Sequence, residues 1–440
     1  MDTYSLYRQL LDKFISFKSI STDPEYKDEM MATAKYLEKI FKEYDFDVKI
    51  IEGYGNPFAY AEYNKLKDAE TCLIYGHYDV QPASLEDGWD SEPFVVDERD
   101  GKLYARGIVD NKGQVLVHIA TIFNLIKEGK LKYNIKFLIE GDEESGSVEI
   151  DNFIADHKNL LKSDFFIISD GPILQDYPTI DVSFRGVINC ELKIKTSGKD
   201  LHSGMYGGIV PNAAEEAARI INILKDEEHW LNIEGLNEEI DMIDVTIIEN
   251  NKSIPISADE LLVTTGTKVI FYDEEIDPFT RNGLFTSMEV TGFNSGYTGN
   301  GFRNAVPGKA SVKLNFRLRP DITPNEFKKL FSKHIESIIA DYADFEIIYD
   351  QDSPGVFLNT DNTYLESSIS ILEEVFGKQV LKLYQGAIVP IGVLIQNELQ
   401  IPGGLINLAN EDSDMHAANE NFDIGVLKKG IKFSEKFFGK

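Results

Sequence analysis

The chain has 440 residues, of which 42% are hydrophobic and 27% are charged. This length predicts two or three domains, and the composition is typical of a globular protein rather than a disordered or membrane-embedded one. Asp and Glu number 74 against 44 Lys and Arg, which gives a net charge of −30. That balance argues against a nucleic acid or an anionic membrane as a partner, because both need a cationic face, although a local basic patch stays open.

The two cysteines, Cys72 and Cys190, are too few for a disulfide framework or a thiolate zinc site. Each lies in an apolar or alternating run, which predicts a buried, reduced thiol. The N-terminal segment MDTYSLYRQLLDKFISF carries charges throughout and has no uninterrupted apolar stretch typical of a signal peptide. The sequence contains no run of about 18 apolar residues, the pattern that would predict a membrane span. We therefore expect a cytoplasmic protein.

Strands and helices are predicted to alternate over much of the chain. The apolar runs that predict buried strands are 71–76, 134–140, 164–169 and 404–409. Helical spacing of apolar residues is found at 111–128, 148–161 and 422–438. This alternation predicts an α/β fold whose mostly parallel, mixed sheet is flanked by helices. Ligands of such sheets bind just beyond the carboxyl ends of the strands.

The middle of the chain has a different pattern. Residues 183–195 and 309–320 alternate as half-buried strands do, and helices are predicted at 210–224 and 323–340, followed by a strand at 344–350. This order predicts an α+β domain inserted into the α/β domain. The expected division is a catalytic domain in two parts, 1–182 and 351–440, and an inserted domain at 183–350. The stretch 225–300 is poorly periodic and its elements are not assigned.

Polar residues follow the first predicted buried strand. His77 and Asp79 lie two positions apart, and we expect Asp79 to accept a hydrogen bond from the His77 ring, which would fix its tautomer. A His-x-Asp pair also occurs often by chance. Asp110 lies between glycines in GIVDNKG at a predicted helix start. It is either a helix N-cap or a carboxylate that bridges two metal ions.

An acidic run, EGDEESGS at 140–147, directly follows the second buried strand. A solvated loop is the simpler alternative. Adjacent Glu143 and Glu144 repel each other unless a cation or a proton intervenes, so one of them would bind metal and the other would take a proton. Asp170 in SDG and His416 in SDMHAANE also follow apolar runs, although a turn residue and a surface histidine are the alternatives.

These residues are expected to meet because the strand ends share one edge of one sheet. Two histidines and three carboxylates form a suitable ligand set for two zinc ions. The predicted ligands are His77, Asp110, Glu144, Asp170 and His416. The Gly-rich loop DLHSGMYGG at 200–208, which carries His202, either approaches a ligand closely or is a plain turn.

Seven segments together resemble one known family. They are GHYDVQPA, LYARGIVDNKG, EGDEESGS, SDGP, RGVINCELKIKTSGKDLHSGMYGG, NAVPGKASVKLNFRLRP and MHAANE, and they span residues 76–420. The chain is similar to the co-catalytic zinc metallopeptidases that include carnosinases, carboxypeptidase G, aminoacylase and succinyl-diaminopimelate desuccinylase. The segment from RG to DLHSGMYGG is most similar to the carnosinase and nonspecific dipeptidase branch.

The resemblance implies a dinuclear zinc centre, with manganese or cobalt as possible replacements. His77 and Asp170 would hold one ion, Glu144 and His416 the other, and Asp110 both. It also implies a cis peptide bond after Asp110, and an inserted domain that serves as a lid and dimerisation domain.

Other residues receive roles from the resemblance alone. Glu143 would be the general base, and Asp79 the residue that orients His77. His202 would reach the partner subunit's active site in a homodimer and polarise the scissile carbonyl. Arg317 would bind the C-terminal carboxylate of the substrate, where a bidentate guanidinium is suited. Asn304 occupies the place of a small polar substrate-binding residue.

One loop departs from the family. Dipeptidase relatives have Gly-Gly-Ser-Ile-Pro, whereas this chain has YQGAIVP at 384–390, with Ala387 and Ile388 in place of Gly and Ser. The serine hydroxyl is lost as a donor to the substrate carboxylate. Backbone N–H groups of the loop at Gly386 would still be available to bind substrate.

The predicted function is a dinuclear zinc hydrolase that cleaves dipeptides or short peptides with metal-activated water. The alternative is an N-acyl amino acid deacylase or desuccinylase with the same centre. A non-catalytic metal-binding protein would have no use for Glu143 beside a ligand. A glycosidase with paired carboxylates would leave both histidines unexplained.

Overall fold

The computed structural model describes residues 2–236, 243–272, 275–386 and 390–440. The chain divides into two compact units. The first unit comprises Met1–Val182, Leu358–Leu383 and Pro390–Lys440, and the second comprises Ser183–Phe357 and Tyr384–Val389.

The secondary structure is numbered in chain order. The helices are α1 (Thr3–Ile15), α2 (Lys27–Lys42), α3 (Lys112–Glu128), α4 (Ile150–Leu161), α5 (Ser203–Tyr206), α6 (Ala213–Ile223), α7 (Val245–Lys252), α8 (Ala258–Thr265), α9 (Pro278–Leu284), α10 (Pro324–Ile338), α11 (Thr363–Phe376), α12 (Pro390–Leu394) and α13 (Ile424–Phe438). The strands are β1 (Asp47–Ile51), β2 (Phe58–Tyr63), β3 (Thr71–His77), β4 (Asp97–Arg99), β5 (Lys102–Tyr104), β6 (Asn134–Glu140), β7 (Phe165–Ile168), β8 (Thr179–Phe184), β9 (Gly186–Lys195), β10 (Leu201–His202), β11 (Ser287–Ser295), β12 (Ala305–Val306), β13 (Lys309–Leu318), β14 (Asp344–Ser353), β15 (Val356–Phe357), β16 (Leu381–Gln385), β17 (Gly403–Ile406) and β18 (Asn421–Asp423). No helix in the described ranges combines the length and hydrophobicity that crossing a membrane requires.

The sheet of the first unit is mixed, and its central strands are parallel. From β1 to β8 its order is β1-β2-β6-β3-β7-β17-β8, and β15 and β16 also pair with β8. Strands β6, β3, β7 and β17 are parallel neighbours, while β1, β2 and β8 run antiparallel to the strands beside them. Parallel strands covered on both faces require apolar side chains throughout, and β6 and β7 are buried at every position. The predicted α/β fold is confirmed, and the four apolar runs become β3, β6, β7 and β17.

Helix α3 is the central helix of the first unit. It packs against α1 and α13 and is buried over most of its length. An N-cap aspartate begins each of these two neighbours: Asp2 accepts the N–H of Ser5, and Asp423 accepts that of Val426, at 2.8 and 2.9 Å. The tight packing of α3 fixes the chain just before it, where Asp110 lies.

The second unit contains a four-stranded antiparallel sheet with the order β11-β13-β9-β14. Strand β9 alternates between buried and half-buried residues, as predicted. Its buried face forms a hydrophobic core with apolar residues of α6 and α10, among them Ile220, Phe327 and Phe331. This arrangement confirms an α+β segment in the middle of the chain. The unassigned stretch 225–300 contains α7, α8, α9 and all of β11.

The expected boundary at residue 350 falls inside β14. The pairing of β14 with β9 continues to Ser353 after a register shift, so the second unit runs on to Phe357. The segment Tyr384–Val389 also belongs to the second unit, although it is distant in sequence. Ala387 and Ile388, at which the chain departs from the family, lie outside the described residues.

Candidate active site

Several predicted site residues follow the carboxyl ends of parallel strands in the first unit. His77 is the last residue of β3, Asp170 lies two residues beyond β7, and Glu143 and Glu144 follow β6 after a two-residue turn. Strand β3 pairs in parallel with β6 on one side and β7 on the other. Their carboxyl ends therefore share one edge of the sheet, where open α/β folds bind ligands.

Asp110 and His416 reach this edge from loops. Asn111, not Asp110, is the N-cap residue of α3, so the simpler helix-cap interpretation of Asp110 is wrong. The Asp110–Asn111 peptide bond is cis, as the resemblance implied. His416 has a φ of +64°, in the left-handed region.

The five predicted ligands converge on Asp110. The Nε2 atom of His77 lies 3.0 Å from Oδ1 of Asp110 and 3.7 Å from Oδ2 of Asp170. The Nε2 atom of His416 lies 2.7 Å from Oδ2 of Asp110 and 3.4 Å from Oε2 of Glu144. Two triads result, His77–Asp110–Asp170 and Asp110–Glu144–His416, with ligand atoms within 4.8 Å of one another in each. They share Asp110, each through a different carboxylate oxygen.

Asp79 connects His77 to the acidic turn. Its Oδ1 lies 3.3 Å from Nδ1 of His77, and its backbone oxygen lies 3.1 Å from the same nitrogen. The carboxylate also accepts the backbone N–H groups of Glu143 and Glu144, at 3.2 and 2.9 Å. Asp79 therefore holds both glutamates as well as the histidine, a second task that the sequence did not indicate.

Glu143 stands beside the two triads without belonging to either. Its Oε2 is 4.0 Å from Nε2 of His77, and its side chain is about one-quarter exposed, at 25%. The adjacent Glu144 is almost fully buried, with a side-chain exposure of 3%. The turn that Asp79 holds thus directs one glutamate into a triad and leaves the other with access to solvent.

The electrostatics of the cluster favour bound positive charge. Burial raises the pKa of Glu143 to about 8, and neighbouring carboxylates act in the same direction. Burial and the charge of Asp110 raise the pKa of Glu144 to about 7. A hydrogen bond to Asp110 raises the pKa of His416 to about 9. All three shifts favour the protonated form, because protons offset the surplus of negative charge.

The residues present fit divalent metal ions. The Nε2 atom of His77 is buried and, among the described residues, has no hydrogen bond of good geometry, although carboxylate oxygens surround it. A buried polar atom without a hydrogen bond is uncommon, and a metal ion is one explanation for it. Imidazole nitrogens and carboxylate oxygens are also ligands that zinc and related ions accept.

Two further polar residues hold the predicted ligands in place, and the sequence analysis assigned neither of them a role. Asn111 donates through Nδ2 to Oδ1 of Asp170 at 2.8 Å and to the carbonyl of Ser169 at 2.6 Å. Gln81 donates to Oε2 of Glu144 at 2.6 Å. The available signal was position: Asn111 directly follows Asp110, and Gln81 ends the segment HYDVQ.

His202 and Asn304 are neighbours in the second unit. Strand β10 pairs antiparallel with β12, which places His202 opposite Ala305. The backbone N–H of Ser203 donates to the carbonyl of Asn304 at 3.1 Å. His202 is exposed, and its Nδ1 accepts the N–H of Gly204 at 3.1 Å.

Arg317 and Gly386 also lie in the second unit. Arg317 is a half-buried residue of β13 and is opposite Ser287 of β11 in the strand register. The carbonyl of Gly386 accepts a hydrogen bond from Nε of Arg185 at 3.3 Å. Arg185 is buried and donates through its other nitrogens to Ser287 and Asn282. It therefore fixes the backbone of Gly386 within this unit.

A family comparison matches most of the chain. The model of Peptidase family M20/M25/M40 matches residues 73–440, which include every predicted site residue. The chain belongs to this family. That assignment confirms the resemblance inferred from the motifs, and it confirms the prediction of a metal-dependent peptidase.

Individual members of the M20 family are similar over nearly the whole chain. The Cys-Gly metallodipeptidase of Saccharomyces cerevisiae is 27% identical over 450 residues, covering 96% of this chain and 92% of its own. The human Beta-Ala-His dipeptidase is 28% identical over 390 residues, covering 87% and 77%. A solved metallo-carboxypeptidase of the M20 family, Sso-CP2 from Sulfolobus solfataricus, is 31% identical with a TM-score of 0.82, covering 100% of this chain and 99% of its own. The similarity to M20 dipeptidases agrees with the branch that the motifs indicated.

Proposed function

We propose that this M20 peptidase is a dinuclear zinc dipeptidase. The observation that carries the proposal is the pair of triads that share Asp110, with Glu143 beside them and outside both. Structural zinc sites are usually closed and often rich in cysteine, and they need no free carboxylate next to a ligand. The arrangement is suited to hydrolysis instead.

The ligands divide between two ions. His77 and Asp170 would hold the first ion, Glu144 and His416 the second, and Asp110 would contribute one oxygen to each. When bound, a pair of such ions polarises a substrate carbonyl and makes water acidic enough to be a nucleophile near neutral pH. Zinc is proposed because the donors are nitrogen and oxygen, and manganese or cobalt would accept the same set.

Glu143 is proposed as the general base. Its carboxylate lies at the edge of the cluster, it is partly open to solvent, and Asp79 holds its backbone N–H. Burial raises the pKa of Glu143, and a carboxylate with a raised pKa is a better proton acceptor. It would take a proton from the attacking water and pass it to the leaving amine of the peptide.

Residues of the second unit are proposed to bind the rest of the substrate. His202 would donate to the scissile carbonyl oxygen, where negative charge develops. Arg317 would pair with the C-terminal carboxylate, since its guanidinium can donate two parallel hydrogen bonds. Asn304 and the backbone at Gly386 would complete the binding of the peptide.

A homodimer is part of this proposal, with His202 serving a partner's active site. Met205, in the loop that carries His202, and Ile209, directly after it, are large apolar side chains that are 67% and 77% exposed. Contiguous exposed apolar side chains are typical of protein contact surfaces. A cytoplasmic location is proposed as well, because Cys72 and Cys190 are both buried and free.

The substrate class is proposed from the relatives. Two of them are named for Cys-Gly and Beta-Ala-His dipeptides. We therefore infer that unblocked dipeptides are the substrates, despite the altered loop at Ala387 and Ile388. An N-acyl amino acid would use the same metal centre and is the alternative outcome.

A substrate panel tests this function. The purified, zinc-loaded protein is assayed with free dipeptides, including Cys-Gly and Beta-Ala-His, with N-acetylated dipeptides, and with N-acyl amino acids. We expect kcat/KM to be highest for free dipeptides and activity to disappear with a chelator. Preference for N-acyl amino acids would assign the enzyme to the deacylases, and no hydrolysis by protein with two bound ions would refute the proposal.

A further inference from the structure

Glu420, the last residue of the segment MHAANE, is fully buried against the loop that carries Asp110. Its Oε1 accepts the backbone N–H groups of Val109 at 2.9 Å and Asp110 at 3.1 Å. Its Oε2 accepts the N–H of Gly107 at 2.9 Å and Nη1 of Arg106 at 2.8 Å. One carboxylate thus binds four donors from residues 106–110, and these donors satisfy the hydrogen-bonding capacity of both oxygens.

Arg106, the partner of Glu420, also holds the loop that carries His416. Its Nη2 donates to the carbonyl oxygens of His416 at 3.3 Å and Ala417 at 3.1 Å. His416 has a φ of +64°, a conformation that residues other than glycine rarely adopt and that persists only where the surroundings impose it. The backbone N–H of Ala105 donates to the carbonyl of Glu420 at 3.1 Å, which adds a third connection between the two loops.

These contacts affect the two triads unequally. His77 ends β3 and Asp170 follows β7, so the sheet positions them. Asp110 and His416 lie on loops, and the Arg106–Glu420 ion pair joins those loops. The distance of 2.7 Å between Asp110 and His416 therefore depends on the pair, whereas the position of His77 does not.

We propose that Glu420, with Arg106 as its counter-ion, is a positioning residue for the metal ion that Asp110, Glu144 and His416 would bind. It sets the separation of Asp110 and His416 and thereby the affinity of that ion. The inference rests on the proposed function, because it presumes two ions at the shared carboxylate. Partners that orient metal ligands commonly change metal affinity about 10–100-fold when they are removed.

The test uses Glu420→Gln in the full-length protein. The amide oxygen can still accept from Val109 and Asp110, but the amide NH2 then faces the donors of Gly107 and Arg106. Zinc affinity is measured by chelator competition, and occupancy of the two positions by anomalous diffraction at limiting zinc. We expect the affinity of the ion beside His416 to fall about 10–100-fold, and that of the other ion, which depends on the pair through Asp110 alone, to fall less. Excess zinc should restore kcat, with KM unchanged.

Two further variants complete the design. Glu216→Gln is the matched control, because Glu216 is a buried glutamate of the second unit that accepts bonds from Arg219 and from the N–H of Ala340. It should keep both ions. Arg106→Lys retains a positive charge beside Glu420 but loses the guanidinium hydrogen bonds to the His416 loop. It should lower the affinity for the same ion, the one beside His416.

The results separate this inference from the proposed function. Two results with a folded Glu420→Gln variant would overturn this inference but not the proposed function. In one, the variant binds both ions with the affinity of the unmodified chain; in the other, its affinity for both ions falls equally. If this variant does not fold, Arg106→Lys decides by the same criteria. Failure of both to fold, with Glu216→Gln folded, would assign the ion pair to folding and also overturn it. Failure of the unmodified chain to bind two ions would overturn the proposed function.

Discussion

Glu143 and Glu144 are adjacent, yet substitution by glutamine should impair turnover at the first and metal binding at the second. Oε2 of Glu144 lies 3.4 Å from Nε2 of His416 and belongs to a triad with Asp110. Glu143 belongs to neither triad and comes no closer than 4.0 Å to Nε2 of His77. We expect Glu143→Gln to keep both ions and lose turnover. Glu144→Gln should lose one ion and regain part of its activity when zinc is added in excess.

The size of the Glu143 effect follows from its surroundings. A general base contributes about 10²–10⁴-fold to the rate, which corresponds to about 2.7–5.4 kcal/mol. Its backbone N–H bonds to Asp79, and its carboxylate has no hydrogen bond among the described residues, so an amide in its place breaks no hydrogen bond there. We therefore expect kcat to fall about 10³-fold, with KM changed by less than about threefold.

The assay combines zinc content by mass spectrometry with initial rates on a free dipeptide. Glu149→Gln is the control, because Glu149 is a half-buried acid shortly after the same turn whose carboxylate bonds only to Asn152 among the described residues. It should behave as the unmodified chain. The reasoning is refuted if Glu143→Gln retains more than about one-tenth of kcat, where at least a hundredfold loss is expected. Loss of zinc from Glu143→Gln, as from Glu144→Gln, would refute it too.

The remaining predictions concern the metal-free protein, the chain before α3 and the substrate carboxylate. A hydrogen bond to a neighbouring carboxylate raises the pKa of His416 from 6.5 to about 9, and burial raises that of Glu144 from 4.5 to about 7. The folded metal-free protein therefore holds more protons than the unfolded chain, so its thermal midpoint should decrease as the pH rises from about 4.5 to 9. The increase in thermal midpoint on adding zinc should become larger over the same range. A midpoint of the metal-free protein that rises over this range would contradict the assignment. Gly113→Ala would place Cβ 1.7 Å from a carbonyl oxygen of the preceding loop, whereas Gly198 has nothing within 4 Å. Denaturant unfolding should show a loss of at least about 1–3 kcal/mol for the first and less than about 0.5 kcal/mol for Gly198→Ala, and equal effects would be inconsistent with this packing. Arg317→Lys should raise KM about tenfold or more for free dipeptides and leave it unchanged for dipeptide amides, because only the former present a carboxylate; equal changes for both would exclude the role.

The central sheet and the ligand types could be predicted from the sequence for one physical reason. Parallel strands that are covered on both faces consist of continuous apolar runs, so β3, β6, β7 and β17 are visible as runs. The residue that follows each run lies at the edge where ligands bind. Position and chemistry alone therefore predict His77 and Asp170 as ligands.

The second unit was only partly predictable. Strands β9 and β13 alternate clearly because one face packs on a core. Helices α7, α8 and α9 are 7–8 residues long, and α8 has no buried residue. A helix of two turns without a buried face has no apolar stripe to detect, and for this reason the stretch 225–300 could not be assigned.

By itself, the sequence determined which side chains stand at the strand ends and that their clustered negative charges favour bound cations or protons. Only the tertiary structure decided how they are held. Asp79 binds the N–H groups of Glu143 and Glu144, although 64 and 65 positions separate them, and Glu420 binds the N–H of Val109 across 311 positions. A hydrogen bond forms between atoms that folding brings together, and neither the spacing nor the charge of the residues along the chain specifies its partner.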